Sequence, residues 1–279
     1  MNILVTGKSG FIAQSIKKSY LNNKYNINFI GRNDISLLSK SCIGHVLEKN
    51  RYDVIFHTAI SGGKRGDDDN ISTLDNNLRM FLNLAEAKTK KCKLINFCSG
   101  AAFDRRKPII ATRESSISEA FPTDYYGLSK NIIANYINNF DNSFINIRLF
   151  GCFGELENDN RFIKRSINNL KNNKNIVINK NKYMDFLYIN DLICVLDFFI
   201  QNNLSYKDYN IVYEQKFSLF DIAKKIVKEM HLDEKRIEIR EPDLDFQYTG
   251  DATRILGTIE KFNYNIDIGI RNMIKYTLV

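Results

Sequence analysis

The feature that most constrains this chain is the unit at its start. Asn2-Ile3-Leu4-Val5-Thr6 is a short β-rich run, Gly7-Lys8-Ser9-Gly10 is a turn, and Phe11 to Ile16 carries apolar residues at helical spacing. The pattern of strand, turn and helix then repeats. Asn26–Ile30, Asp53–Ala59, Leu94–Cys98, Phe144–Phe150 and Tyr209–Tyr213 read as strands, with helical stretches at Cys42–Lys49, Ile71–Lys88 and Tyr126–Phe140 between them. Asp53-Val54-Ile55-Phe56-His57-Thr58-Ala59 is mostly apolar, as a parallel strand covered on both faces should be. Strands alternating with helices predict an α/β fold: a right-handed, doubly wound parallel sheet.

The first turn also has the form of a dinucleotide loop. Gly7 permits a tight turn, Gly10 lets the backbone approach a pyrophosphate at the helix N-terminus, and Ala13 is small where helix and strand must pack. The second strand ends in Gly31-Arg32. An acidic residue there binds the ribose hydroxyls of NAD, whereas an Arg accommodates the 2′-phosphate of NADP, so Arg32 favours NADP(H) over NAD(H). Asp34 and Ile35 are expected near the adenine. Ser61-Gly62-Gly63 opens a loop just past a strand's C-terminal end, the edge where such sheets bind ligands. The acidic run Asp67–Asp69 in that loop reads as solvated, and His57 reads as structural.

A proton-transfer set is expected between Leu94 and Lys130. The buried strand ends at Ser99, and Tyr126 and Lys130 share one helix face four residues apart. A nearby ammonium lowers a phenol's pKa. A hydroxyl from Ser99 holds a carbonyl oxygen beside that phenol, which suits a carbonyl/alcohol pair.

Composition narrows the classes. No run approaches the roughly 18 apolar residues of a membrane span, and Met1 leads straight into a strand, which predicts a cytoplasmic protein. Five cysteines, none spaced Cys-x-x-Cys, and three scattered histidines predict reduced thiols and no metal site. The net charge of +8 suits a polyphosphate ligand. Without a clustered basic and aromatic stripe it does not predict nucleic-acid binding.

Together the motifs resemble the extended short-chain dehydrogenase/reductase family, in its nucleotide-sugar branch. The matching residues are Thr6-Gly7-x-x-Gly10-Phe11-Ile12, Asp53–His57, Asn77 with Asn83-Leu84-x-Glu86-Ala87, Ser99, Tyr126-Gly127-x-Ser129-Lys130, Arg148-Leu149-Phe150, Asp185-Phe186-x-Tyr188-Ile189-x-Asp191 and Tyr248-x-x-Asp251. The resemblance implies a Rossmann domain over 1–154 and 186–214, and a smaller C-terminal α/β substrate lobe over 155–185 and 215–279. It implies that Tyr126 is the acid–base, that Lys130 holds the nicotinamide ribose, and that Ser99 binds the substrate oxygen. It extends the cofactor set to Gly7, Ser9, Gly10, Phe11, Ile12, Arg32, Asp34, Ile35, Thr58, Ala59, Asn77, Lys130, Leu149 and Phe150. Helices 71–88 and 126–140 would form the family's homodimer bundle.

Departures from the family pattern narrow the activity. Dehydratases carry an Asp-Glu pair after the catalytic Ser or Thr; here stand Gly100 and Ala101. Gly31–Leu38 with Ser61-Gly62-Gly63 looks most like the GDP-fucose synthase-like 4-ketoreductases, although Ala101 replaces their epimerising cysteine and their histidine has no match. Gly151, Glu155 and Met184 replace the usual Asn, Pro and Arg. Ser61, Gly62, Gly100, Ala101, Arg161 and Arg240 are the expected substrate contacts, the arginines as pyrophosphate ligands. The expected activity is NADPH-dependent 4-keto reduction of a nucleotide-diphosphate (GDP is the first candidate) 4-keto-6-deoxy sugar, for a bacterial surface polysaccharide. The rival expectations are an NAD-dependent 4-epimerase and a dinucleotide-binding sensor without catalysis.

Overall fold

The computed structural model describes residues 1–63, 69–140 and 142–278. The chain opens with β1 (Asn2–Thr6), α1 (Phe11–Lys18), α2 (Leu21–Lys24), β2 (Asn26–Ile30), α3 (Lys40–Asn50), β3 (Val54–His57), α4 (Ile71–Ala87) and β4 (Lys93–Ser99). It continues with β5 (Ile109–Thr112), α5 (Tyr125–Asn139), β6 (Phe144–Leu149), β7 (Cys152–Phe153), α6 (Phe162–Lys171), β8 (Ile176–Asn181), β9 (Tyr183–Met184) and β10 (Leu187–Tyr188). Then come α7 (Ile189–Gln201), β11 (Asp208–Asn210), β12 (Phe217–Ser218), α8 (Leu219–Glu229), β13 (Ile237–Leu244), β14 (Tyr248–Gly250), α9 (Thr253–Leu256) and α10 (Ile266–Leu278).

These elements form two compact units. The first comprises residues 1–105, 113–149 and 199–210, and the second 106–112, 150–198 and 211–279. The first unit is built on a six-stranded sheet in the order β2-β1-β3-β4-β6-β11, parallel throughout. The doubly wound parallel sheet is therefore as expected. The chain steps outward from β1 to β2, then crosses back over β1 to reach β3. That reversal leaves a crevice beyond the C-terminal ends of β1 and β3, where open α/β sheets bind ligands.

Helices α3, α4 and α5 bury one apolar cluster against the strands, including Ile43, Leu47, Phe81, Leu84, Ile133 and Ile137 with Leu4, Ile55 and Leu94. All six residues of β6 are buried, Asn146 and Arg148 among them. A polar row runs across the sheet in register with them. Asn96 Nδ2 donates to Asn146 Oδ1 at 2.7 Å, and Asn146 Nδ2 donates to Asp208 Oδ1 at 2.7 Å. Arg148 donates to Asp208 Oδ2 at 2.8 Å and to Asn210 Oδ1 at 3.0 Å.

The second unit uses short strands. β12, β9, β14 and β5 make one sheet, while β8 pairs with β13 and β7 with β10. Helices α6, α8 and α10 pack on one another. Sequence periodicity marks α6 and α8, and Ser218 caps α8 in a capping box with Asp221. It does not mark α10, β5 or β14. β5 and β14 lie far apart in sequence and pair with each other, and β14 pairs on its other side with β9. Gly151 and Met184, two of the departures from the family pattern, touch in this unit. A Cβ on Gly151 would sit 2.5 Å from the Asp185 carbonyl oxygen and 2.9 Å from Met184 Cε. Among the described residues no helix is long and apolar enough to cross a membrane, and no group of three metal-ligating side chains occurs.

Candidate active site

The site in the first unit grows from three strand ends. At the end of β1 the chain turns at Gly7, whose φ is +73°. A Cβ there would lie 2.9 Å from the backbone of Ala59, so β1 and the segment after β3 approach too closely for any side chain. Gly10 N donates to Gly7 O at 2.8 Å and closes the turn. Gly10 is the N-cap of α1 and supplies no side-chain cap, which leaves the first-turn amides of α1 to a ligand. These features fit a dinucleotide pyrophosphate, with Ser9, Phe11 and Ile12 on the turn and first helical residues.

Thr58 Oγ1 donates to Thr6 O at 2.6 Å, and Thr6 Oγ1 lies 3.0 Å from His57 Nδ1. Burial, with a smaller push from the charge of Lys130, holds His57 down to about 3, so it is a neutral imidazole that ties strand ends together. Beyond β2, the Asp34 carboxylate accepts from Gly31 N at 2.9 Å and pairs with Lys8 Nζ at 3.0 Å. The Lys8 hydrogen bond, then that of Gly31, lowers the Asp34 pKa. Arg32 is exposed beside this pair, and Ile35 is half-buried.

Ser99 ends β4, and its Oγ accepts from Ala101 N at 3.2 Å, opening a 3-10 turn over Gly100–Ala102. All three turn residues are buried, and none carries an ionisable group. α5 meets this turn at Gly127, where a Cβ would lie 2.5 Å from the Ala101 carbonyl oxygen. That contact places Tyr126 beside Ser99, which hydrogen-bonds the phenol. Lys130 is buried one turn on, with Nζ 5.8 Å from the Tyr126 ring centre.

The electrostatics differ from the expectation of a lowered phenol pKa. Burial pushes Tyr126 up to about 12, and the Ser99 hydrogen bond offsets only part of that. Burial also pulls Lys130 down to about 8. The Lys130 ammonium donates to Phe97 O at 2.8 Å rather than to the phenol. Desolvation outweighs the neighbouring charge, and Tyr126 is a protonated phenol at neutral pH.

Asn77 on α4 ties the loop after β3 to this site. It accepts from Ser61 N at 2.7 Å and donates to Ser61 O at 3.0 Å and to Ser129 Oγ at 3.1 Å. Ser129 Oγ donates in turn to Tyr126 O at 2.7 Å. Gly62 packs against Thr73 with φ +71°. In the Asp67–Asp69 run, Asp69 is exposed, in line with a solvated charge, but it also accepts from the amides of Tyr125 and Tyr126. Asp67 and Asp68, with Lys64, Arg65 and Gly66, lie outside the described residues. Nothing local marks Asp69 in the sequence, since its partners are 56 and 57 residues away.

The first unit thus gathers Ser61, Asn77, Ser99, Gly100, Ala101, Tyr126 and Lys130 around one place, with Leu149 in register beside Ser99. Phe150, Arg161 and Arg240 belong to the second unit. Phe150 stacks edge-on with Tyr248. Arg161 precedes α6 and donates to Cys152 O at 3.1 Å. Arg240 is exposed on β13, with Nε 3.5 Å from Glu238.

Comparison with known proteins defines the class. The profile of the NAD dependent epimerase/dehydratase family matches residues 3–212, and the chain belongs to that family. A dTDP-D-glucose 4,6-dehydratase of Dictyostelium discoideum is 25% identical over 266 residues, covering 81% of this chain but only 61% of that protein's length. The fold also matches a GDP-L-fucose synthetase of Naegleria fowleri bound to NADP, with a TM-score of 0.82 at 17% identity over 99% of this chain and 92% of the other. A dTDP-glucose 4,6-dehydratase of Bacillus anthracis in complex with NAD gives 0.81 at 18% identity, over 100% and 96%.

Proposed function

We propose that this chain is an NADPH-dependent 4-ketoreductase of a nucleotide-diphosphate 4-keto-6-deoxy sugar. One observation carries the reading: a Ser99–Tyr126–Lys130 set stands next to a turn, Gly100–Ala102, that holds no proton-abstracting side chain. Elimination of water or epimerisation beside the carbonyl needs a further base within reach of the substrate, which that turn does not supply, whereas reduction needs only an acid and a carbonyl holder.

A nicotinamide dinucleotide held at the turn after β1 would supply the hydride for carbon 4. Tyr126 gives its phenolic proton to the former carbonyl oxygen, which becomes a hydroxyl. Ser99 orients that oxygen beforehand, and the Lys130 charge steadies the resulting phenolate. A phenol held at about 12 is protonated before turnover, as a proton donor in reduction must be. Gly7, Ser9, Gly10, Phe11 and Ile12 would hold the pyrophosphate, Arg32 the 2′-phosphate, and Asp34, Ile35, Thr58, Ala59, Asn77, Lys130, Leu149 and Phe150 the rest of the cofactor. Ser61, Gly62, Gly100, Ala101, Arg161 and Arg240 would contact the sugar nucleotide. The NADP complex of the fucose synthetase supports the cofactor choice, and the NAD complex of the dehydratase sets its rival.

The test uses a GDP-4-keto-6-deoxy sugar with NADPH and, in parallel, NADH. Stoichiometric NADPH oxidation with a product heavier by two hydrogens is the expected outcome. An isobaric product with no oxidation would replace the reading with a 4-epimerase. Tyr126→Phe is expected to lower kcat by roughly 10²–10⁴-fold.

A further inference from the structure

We propose that Asp69 is a positioning residue for Tyr126, so that the segment after β3 places the proton donor of α5. This rests on the reading of Tyr126 as that donor. Asp69 uses both carboxylate oxygens on α5: Oδ2 accepts from Tyr125 N at 2.8 Å and Oδ1 from Tyr126 N at 3.0 Å. The helix already has its own N-cap. Asp124 accepts from Gly127 N at 2.7 Å and pairs with Arg105 Nη2 at 2.8 Å. One capping side chain ordinarily suffices to start a helix, and a second carboxylate adds to the favourable interaction with the positive helix end. What Asp69 adds beyond that is a bond to the amide of the residue bearing the phenol.

The same segment holds Tyr126 at two further points. Gly63, with φ +81°, lies against the hydroxyl-bearing edge of the ring. A Cβ there would fall 2.6 Å from Cε2 and 2.8 Å from Cζ. Ser61 is bound by Asn77, which reaches the Tyr126 carbonyl through Ser129. The amide of Tyr126 is therefore met by Asp69, its ring by Gly63, and its carbonyl, through Ser129, by Asn77. Helix ends fray, and a displacement of about 1 Å in a reacting group can cost about 10²-fold in rate. Ties from outside the helix answer that problem.

The experiment compares Asp69→Ala, Asp69→Asn and Tyr126→Phe in the whole chain with ring-¹³C tyrosine. The Tyr126 resonance is identified among the 14 tyrosines by its loss in Tyr126→Phe. Asp69→Ala is expected to shift that resonance and leave most others in place, and Asp69→Asn, which keeps one acceptor oxygen, to restore it part-way. With NADPH and a GDP-4-keto-6-deoxy sugar, Asp69→Ala is expected to lower kcat roughly 10–100-fold, with KM for NADPH unchanged within about twofold. A Tyr126 resonance that stays put in folded Asp69→Ala overturns the proposal whether or not the sugar is turned over. If Asp69→Ala loses its tyrosine dispersion altogether, Asp69→Asn decides: an unmoved Tyr126 signal with wild-type melting overturns the proposal, and a selective shift supports it. Undiminished turnover by Tyr126→Phe would instead overturn the role of Tyr126 as donor, leaving the resonance to report on Asp69 alone.

Discussion

Each compact unit holds an arginine–carboxylate pair whose carboxylate is buried, and the two pairs are built differently. In the first, Arg148 and Asp208 are both at most 1% exposed. Their contact is 2.8 Å, and Asn146 and Asn210 take up further hydrogen-bonding capacity, while Arg148 Nε has no partner among the described residues. The Arg148 guanidinium also lies 4.8 Å from the centre of the Phe103 ring. Although burial disfavours its charge, the Asp208 carboxylate and other neighbours hold the Arg148 pKa above its ordinary value.

In the second unit Glu157 is 2% exposed but Arg161 is 50% exposed, and the contact is 3.5 Å. Glu157 Oε1 has no partner among the described residues. Burial pushes the Glu157 pKa up to about 7, with Arg161 pulling back only in part. The difference teaches that burial preserves a charge only where short hydrogen bonds satisfy it; otherwise burial favours the neutral form.

The largest effect should come from breaking the fully buried, closely hydrogen-bonded pair. Asp208→Ala leaves Arg148 buried without its carboxylate and is expected to cost about 3–5 kcal/mol, read as a lower midpoint in urea unfolding. Neutralising the unsatisfied carboxylate should act in the opposite direction. The folded pKa of Glu157 lies above its ordinary 4.5. The stability it contributes is complete below about 4.5 and is lost as pH rises through about 7. Wild-type stability should fall across that window, and Glu157→Gln should flatten the fall. Above it the variant should be more stable by up to about 3 kcal/mol, measured by denaturation at pH 5 and pH 8. A destabilising Glu157→Gln at pH 8 would erase the contrast between the pairs. The smallest effect is local: Ser218→Ala removes the α8 cap and should cost about 1 kcal/mol with no pH dependence over the same range.

Legibility followed the same divide. The strands of the main sheet, its helices and the Ser99, Tyr126 and Lys130 set were readable because each rests on local periodicity or a short motif. α8 was readable in the second unit for the same reason, through Ser218 and its apolar face. β5 and β14 were not, since each is a short run without an apolar core pattern that becomes a strand through partners distant in the chain. Asp69 looked like solvated charge because nothing near it in the chain shows that α5 ends beside it.

The sequence by itself determined the alternation of strand and helix, the glycine turn after β1 and the lack of an ionisable side chain at Gly100–Ala102, because these depend on residue type and spacing. Tertiary structure alone decided the direction of the Tyr126 pKa, the partners of Arg148 and Glu157, and the use of Asp69. Those depend on how much water is excluded and which distant groups arrive within hydrogen-bonding distance, quantities that exist only once the chain has packed.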